Sequence, residues 1–217
     1  MTSKLGYEIV ELGTRGKIVV ATRDFQPGET VVEEKEPVLL LTAEILKEFK
    51  KYDPTDMSMY LAGFVVTVRR MNPVKKATLL TLYGPTTGLA ANSVREYASK
   101  LQYSPDSNIH PRHLTPDEVE MFVRIASIMR LNMFGGDDVK LIFAEVTRFA
   151  HSCASNCAYH VQDNAMYCRT TQRLAAGEEL TISYVRERDL EPTHIRRQKY
   201  LEMKDFTCHC PRCDAPG

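Results

Sequence analysis

Short β-type runs open the chain, and the spacing of apolar positions then changes twice. Residues 5–12 and Lys17 to Ala21 predict two strands around the turn Gly13-Thr14-Arg15-Gly16. Asp24 to Glu29 is a second turn, built on Pro27-Gly28-Glu29. Strands are expected from Thr30 to Glu34 and from Pro37 to Leu41. From Thr42, an N-cap type, the period becomes helical and predicts helices over 43–52, 56–71, 73–83 and 91–101. Pro73 after Asn72 suits a first helical position. Ser104 to Pro111 reads as loop. Thr115-Pro116-Asp117-Glu118 has the spacing of a capping box and opens a helix to about Leu131. β character returns at 139–149, 157–162, 165–170 and 179–184, and Glu191-Pro192 opens a last helix to about Met203.

The order is strands, a helical insertion, strands, and a cysteine-bearing tail. The strands are too short and too irregularly connected for a doubly wound sheet, so the expected class is mainly β with a helical insertion (α+β). No repeat of solenoid length is present. Pro27-Gly28-Glu29 and Ala176-Gly177-Glu178 resemble each other but recur at no fixed period.

Composition narrows the function classes. Lys plus Arg and Asp plus Glu both number 28, so bulk charge points to neither a membrane nor a direct nucleic-acid partner. The basic pairs Arg69-Arg70, Lys75-Lys76 and Arg196-Arg197 are each small enough to be solvated surface. Met1 to Glu11 lacks the apolar core of a signal peptide, and no apolar run is long enough to span a bilayer, so a soluble, intracellular protein is expected. All six cysteines lie in the last third of the chain. A disulfide framework would spread them; a clustered C-x-C-x-x-C points to metal.

The candidate chemistry sits in three pieces. Phe149-Ala150-His151-Ser152-Cys153-Ala154-Ser155-Asn156-Cys157 is a polar run that follows apolar residues. Gly177-Glu178-Glu179-Leu180-Thr181-Ile182-Ser183-Tyr184 is a turn feeding a strand that ends on tyrosine. Cys208, Cys210 and Cys213 supply three thiolates within a short tail, a donor set suited to zinc. A closed structural site needs a fourth ligand from elsewhere, with Cys153, Cys157, Cys168, His151 and His209 as candidates. Cys168, between Tyr167 and Arg169 on an expected strand, reads better as a packed small apolar residue.

Together the three pieces resemble the SET-domain protein lysine methyltransferases. Residues 150–156 follow an Asn-His-Ser-Cys-x-Pro-Asn motif, 177–184 a Gly-Glu-Glu-Leu-x-x-x-Tyr motif, and 208–213 a post-SET C-x-C-x-x-C. The continuation into Cys157 is most similar to the lineage that combines SET with a MYND zinc finger. No cysteine precedes Cys153, so no MYND finger is expected here, nor is a C-terminal helical-repeat domain. The resemblance covers about 1–41 and 116–213, giving a SET domain over 1–204 with an insert at about 42–115, and a post-SET tail over 205–217.

The resemblance implies a β-clip fold with a pseudoknot, S-adenosylmethionine as cofactor, one structural zinc, and methyl transfer to a lysine amine. It implies Tyr184 as the catalytic tyrosine, which also borders cofactor and substrate channel. Arg15, Lys17, Asn132, His151 and Phe206 take cofactor positions, and Phe134 a place in the lysine channel. It implies Cys153 as the fourth zinc ligand beside Cys208, Cys210 and Cys213. The implied setting is nuclear, with the cytoplasm also open, and the implied partners are a lysine-bearing protein such as a histone tail and subunits of a chromatin complex.

Several positions depart from the pattern. Ala150 stands where the family has a cofactor-binding Asn, Ser155 replaces the motif Pro, and Lys204 falls where relatives carry a channel tyrosine. Ile18 stands where a second turn glycine is usual. These departures motivate an alternative: a SET scaffold that has lost turnover and serves as a binding subunit. Taken singly, Tyr184 reads as a strand-end core residue, His151 as a turn histidine, Asn132 as a helix C-terminal residue, Phe206 as tail packing and Lys17 as surface charge. His110, His113, His160 and His194 read as structural.

Overall fold

The computed structural model describes residues 6–13, 16–45, 67–68, 70–87, 91–92, 95–96, 115–135, 139–185, 198, 201–202 and 206–214. The backbone forms two compact units, Met1–Glu36 with Glu145–Gly217, and Pro37–Ala144.

The first unit holds most of the strands. β1 (Tyr7–Glu11) and β2 (Lys17–Ala21) form an antiparallel hairpin in which Tyr7 faces Ala21 and Glu11 faces Lys17. β2 continues the pairing on its other side, since Ala21 N–H donates to Glu178 O and Leu180 N–H to Val19 O. β3 (Thr30–Glu34) pairs with β8 (Ala165–Thr170), and β8 with β7 (Cys157–Gln162), all antiparallel. The β7–β8 hairpin turns on Asp163 and Asn164, both at positive φ, as a two-residue primed turn requires. Asp and Asn reach that region at lower cost than other side-chain-bearing residues.

The two similar turn segments are partners. Phe25 and Leu174 exchange backbone hydrogen bonds of 2.9 and 3.1 Å, while Gly28 N–H donates to Thr170 O and Gly177 N–H to Ala21 O, both at 2.8 Å. Both glycines have positive φ, and in each segment the following Glu accepts from the backbone N–H three residues back. The two copies thus meet at Phe25 and Leu174, and their glycines make matching bonds to Thr170 and Ala21. Phe25, Val31, Phe149, Met166, Leu174 and Leu180 form the buried interior around this arrangement.

The long β run expected at 139–149 is broken. Only β5 (Lys140–Ile142) is strand, and a 3₁₀ turn occupies Val146–Arg148. Half-buried Glu34 explains the break: its Oε1 accepts from Glu145 N–H at 3.0 Å and Val146 N–H at 2.8 Å, capping the turn with a carboxylate from β3. Beyond it come β6 (Ala150–His151) and β9 (Thr181–Ile182), which pair in parallel. The strand expected over 179–184 is thus reduced to two residues.

The second unit is wider than the expected insert of 42–115, because β4 (Leu39–Leu41) pairs with β5 inside it. Helix α1 (Pro73–Leu80) is capped by Asn72, whose Oδ1 accepts from Val74 and Lys75 N–H. Helix α2 (Pro116–Asn132) has the expected capping box: Glu118 N–H donates to Thr115 Oγ1, and Thr115 N–H to Glu118 Oε2. Leu41, Leu79, Phe122, Ile125, Ile128 and Ile142 are its fully buried centre. Gly84 lies where a Cβ would come within 2.4 Å of Ile128 Cγ1, so only glycine fits against α2 there. Residues 43–45, 67–68, 70, 91–92, 95–96, 198 and 201–202 are helical; Met71, expected to end the helix over 56–71, is a bend, and the rest of the expected helices that contain them lies outside the described residues. Among the described residues no helix is long and apolar enough to cross a membrane.

Candidate functional site

Parallel pairing of β6 with β9 sets two distant segments side by side, with Ala150 opposite Thr181 and His151 opposite Ile182. Ser152 N–H extends the pairing to Ile182 O at 3.1 Å. Buried Ser152 then makes the turn, its Oγ accepting from Ala154 N–H at 3.1 Å, and so presents Cys153.

Asn156 locks this crossing. Its Nδ2 donates to Glu179 O at 2.8 Å, and its Oδ1 accepts from Thr181 N–H at 2.8 Å and from Thr181 Oγ1 at 3.2 Å. Its backbone carbonyl takes Thr171 N–H at 2.9 Å. One amide thus joins the loop after β6 to the approach of β9. Asn156→Ala should lower the unfolding free energy by about 2–3 kcal/mol, read by urea denaturation. A stability equal to wild type would show that the clamp contributes nothing.

Tyr184 follows β9 and is held at both ends. Its backbone N–H donates to His151 Nδ1 at 2.9 Å, and its hydroxyl donates to Phe149 O at 2.6 Å. Burial, with Tyr159 adding to it, pushes the phenol up to about 12, so the hydroxyl stays protonated at neutral pH. The rings of His151, Tyr184 and Phe206 form a triangle with centroid separations of 5.2, 5.7 and 6.2 Å. Burial lowers the His151 imidazole to about 4, which keeps it neutral.

The tail closes on the same place. The Sγ atoms of Cys153, Cys208, Cys210 and Cys213 all lie within 4.8 Å of one another, and all four residues are buried. Cys153 Sγ is 4.0 Å from Cys208 Sγ and 3.6 Å from Cys213 Sγ. Four thiolates around a tetrahedral zinc at 2.3 Å would stand about 3.8 Å apart. The donor set and its spacing therefore fit a metal of this kind. Burial raises the Cys210 thiol, but hydrogen bonds from the Cys208 side chain and from the backbone of Cys213, Cys153 and Arg212 outweigh it and bring it down to about 6. Burial raises the Cys153 and Cys208 thiols of the same cluster, so the lowering is confined to Cys210 among these three. Val185 and Leu201 pack around the cluster, and Gln198 pins the tail by donating to Cys208 O at 2.9 Å and accepting from Cys208 N–H at 3.1 Å.

Of the other candidates for fourth ligand, His151 touches the cluster through Nε2, 3.2 Å from Cys153 Sγ, and the remaining three stand apart from it. His209 is exposed, 3.4 Å from Asp214 Oδ1. Cys157 and Cys168 are buried on β7 and β8, where Cys157 and burial together raise the Cys168 thiol well above its usual range. All six cysteines are unbridged.

The structure thus brings His151, Cys153, Tyr184, Phe206, Cys208, Cys210 and Cys213 together in the first unit. Lys17 opens β2 with an exposed side chain. Asn132 ends α2 in the second unit, where its Nδ2 donates to Tyr83 O and Ile128 O at 2.8 and 2.7 Å. Phe134, in the same unit, exchanges backbone hydrogen bonds with Leu141 and meets the Phe143 ring edge-on at 6.1 Å. Arg15 and Lys204 lie outside the described residues. Glu34, Gln198 and the side-chain role of Asn156 went unread in the sequence; only the place of Asn156 in its motif signalled it.

A family model described as SET domain matches residues 16–185. The chain is 28% identical over 184 residues to the SET domain-containing protein SmydA-8, isoform B, of Drosophila melanogaster, covering 78% of this chain and 39% of that protein. It is 24% identical over 181 residues to the histone-lysine N-methyltransferase SMYD3 of Mus musculus, covering 77% and 41%. The chain therefore spans about two fifths of the length of these relatives. Among solved structures, the SET domain of LSMT bound to lysine and AdoHcy superposes with a TM-score of 0.58 at 16% identity, over 94% of this chain and 52% of that one.

Proposed function

The chain belongs to the SET-domain family, and on that premise we propose that it is an S-adenosylmethionine-dependent protein lysine N-methyltransferase with Tyr184 at the transfer point. The observation that carries this reading is the Tyr184 hydroxyl, fixed 2.6 Å from Phe149 O. S-adenosylmethionine, when bound, supplies a methyl group on a sulfonium, an electrophile that needs no metal or strong acid. The chain's task is then to dock and align a neutral lysine amine. Because the Tyr184 proton goes to Phe149 O, the phenol oxygen is left to accept from an incoming amine N–H. Its raised pKa means that it does so without adding a charge. The aromatic faces of His151, Tyr184 and Phe206 and the nearby oxygens suit an electropositive sulfonium. They also provide the dry surroundings in which a lysine ammonium gives up its proton more readily.

Zinc in the four-cysteine cluster is structural in this reading; it fixes the tail and takes no part in the transfer. Histone tails as substrate extend the reading along the line of the SMYD3 relative's name, and a nuclear setting with chromatin-complex partners is a further part of the proposal. Calorimetry with S-adenosylmethionine and transfer of labelled methyl to histones or lysine peptide pools test it. Absence of both binding and transfer would refute it.

Ala150 favours a second reading, a scaffold without turnover. It is half-buried opposite Thr181 and has no polar side chain to offer a cofactor. Ala150→Asn should tighten cofactor binding about tenfold, the equivalent of one restored hydrogen bond. Cofactor binding that appears only in this variant would establish the scaffold reading over the enzyme.

A further inference from the structure

We infer that His151 is a positioning residue whose two ring nitrogens tie the metal-binding tail to Tyr184. Nδ1 stands 2.9 Å from the Tyr184 backbone nitrogen. A backbone N–H can only donate, so Nδ1 is the acceptor and the ring proton sits on Nε2. Nε2 is 3.2 Å from Cys153 Sγ. A metal-bound thiolate has no proton and can only accept, so Nε2–H donates to Cys153. The imidazole is thus a strut running from the Tyr184 amide to a sulfur of the four-cysteine cluster. The Tyr184 ring lies 5.2 Å from it, tilted by 41°, and the ring of Phe206, which lies just before Cys208 on the tail, meets it in a T-shaped contact at 5.7 Å. With both nitrogens engaged, the ring has no hydrogen-bonding atom left for a small ligand.

The strut has a consequence in each direction. A donor to a ligating thiolate orients that sulfur, and loss of such a partner typically lowers metal affinity about 10- to 100-fold. In turn, whatever moves Cys153 moves the acceptor that fixes the Tyr184 backbone, and the coupling is reciprocal. The inference rests on the metal reading of the cluster and on Tyr184 as the tyrosine of the proposed site, but it does not require turnover.

Two replacements divide the strut. In His151→Asn the side-chain amide reaches only the depth of Nδ1, keeping an acceptor for Tyr184 N–H and losing the donor to Cys153. His151→Gln reaches the depth of Nε2 and restores that donor. Competition with a chromophoric zinc chelator should show the Asn variant about 10- to 100-fold weaker for zinc, with much of the loss recovered in the Gln variant. Equal affinity in all three proteins, or an equal loss in both variants, overturns the inference. Should the variants fail to fold, nitrogen NMR of the zinc-loaded wild-type protein decides. The inference requires a neutral Nε2–H tautomer and a Tyr184 amide resonance that moves when cadmium replaces zinc. An Nδ1–H tautomer or an unmoved amide overturns it. Elemental analysis reports on the metal reading and labelled-methyl transfer on the activity, so each can fail separately.

Discussion

Tyr184→Phe is expected to lower the methyl-transfer rate by about 10²-fold while leaving a folded, cofactor-binding protein. The ring stays, so the packing against His151 and Phe206 at 5.2 and 6.2 Å is kept, as is the backbone N–H bond to His151. What disappears is the hydroxyl that both donates to Phe149 O and presents its oxygen to an amine. Phe149 O then loses its donor, at a cost of about 1–3 kcal/mol, so a modestly lower melting temperature should accompany the loss. Single-turnover transfer with labelled cofactor measures the rate, and calorimetry the binding. The informative result is the split: rate lost, affinity kept. A rate equal to wild type would remove Tyr184 from the site. Loss of rate and binding together would mean that the hydroxyl maintains the fold rather than the chemistry.

The parts of this site that could be read along the chain are those whose information is local. Cys208, Cys210 and Cys213 announce a metal by their spacing alone, and the Thr115–Glu118 capping box is complete within four adjacent positions. The fourth sulfur is another matter. Cys153 lies 55 residues before Cys208, just after a parallel pairing of two-residue strands that no periodicity encodes. Residues alone left five candidates, and only the family resemblance singled out Cys153. The run 139–149 shows the same limit from the other side. Its composition is β-like, yet Glu34 caps Glu145 and Val146 from more than a hundred positions away and turns the backbone. The paired turns at Gly28 and Gly177 were visible as similar sequences. That each is the other's partner could be known only once Phe25 and Leu174 were seen to bond. Asn156 and Gln198 act through side-chain amides on distant backbone, an interaction with no local signature.

Removing the metal should have the largest structural effect. Freshly purified protein is expected to hold one zinc per chain, and Cys208→Ser or a strong chelator should release the tail from the core. Apparent binding free energies of structural zinc in small domains reach about 10–16 kcal/mol, well above what Val185, Leu201 and the Gln198 amide contacts can supply to so short a segment. The six cysteines make the outcome directly readable. Cys153, Cys208, Cys210 and Cys213 form the cluster, whereas Cys157 and Cys168 are buried on the paired strands β7 and β8. After chelation a thiol reagent should titrate the cluster cysteines rapidly and the sheet cysteines only on unfolding. Phe206 leaves with the tail, so the aromatic triangle opens and cofactor affinity falls in parallel. Protein free of zinc as isolated, with all six thiols equally slow, would refute the metal assignment. If the cluster thiols are released while the Tyr184 amide and cofactor affinity stay unchanged, the tail is a stapled appendage and not a wall of the site.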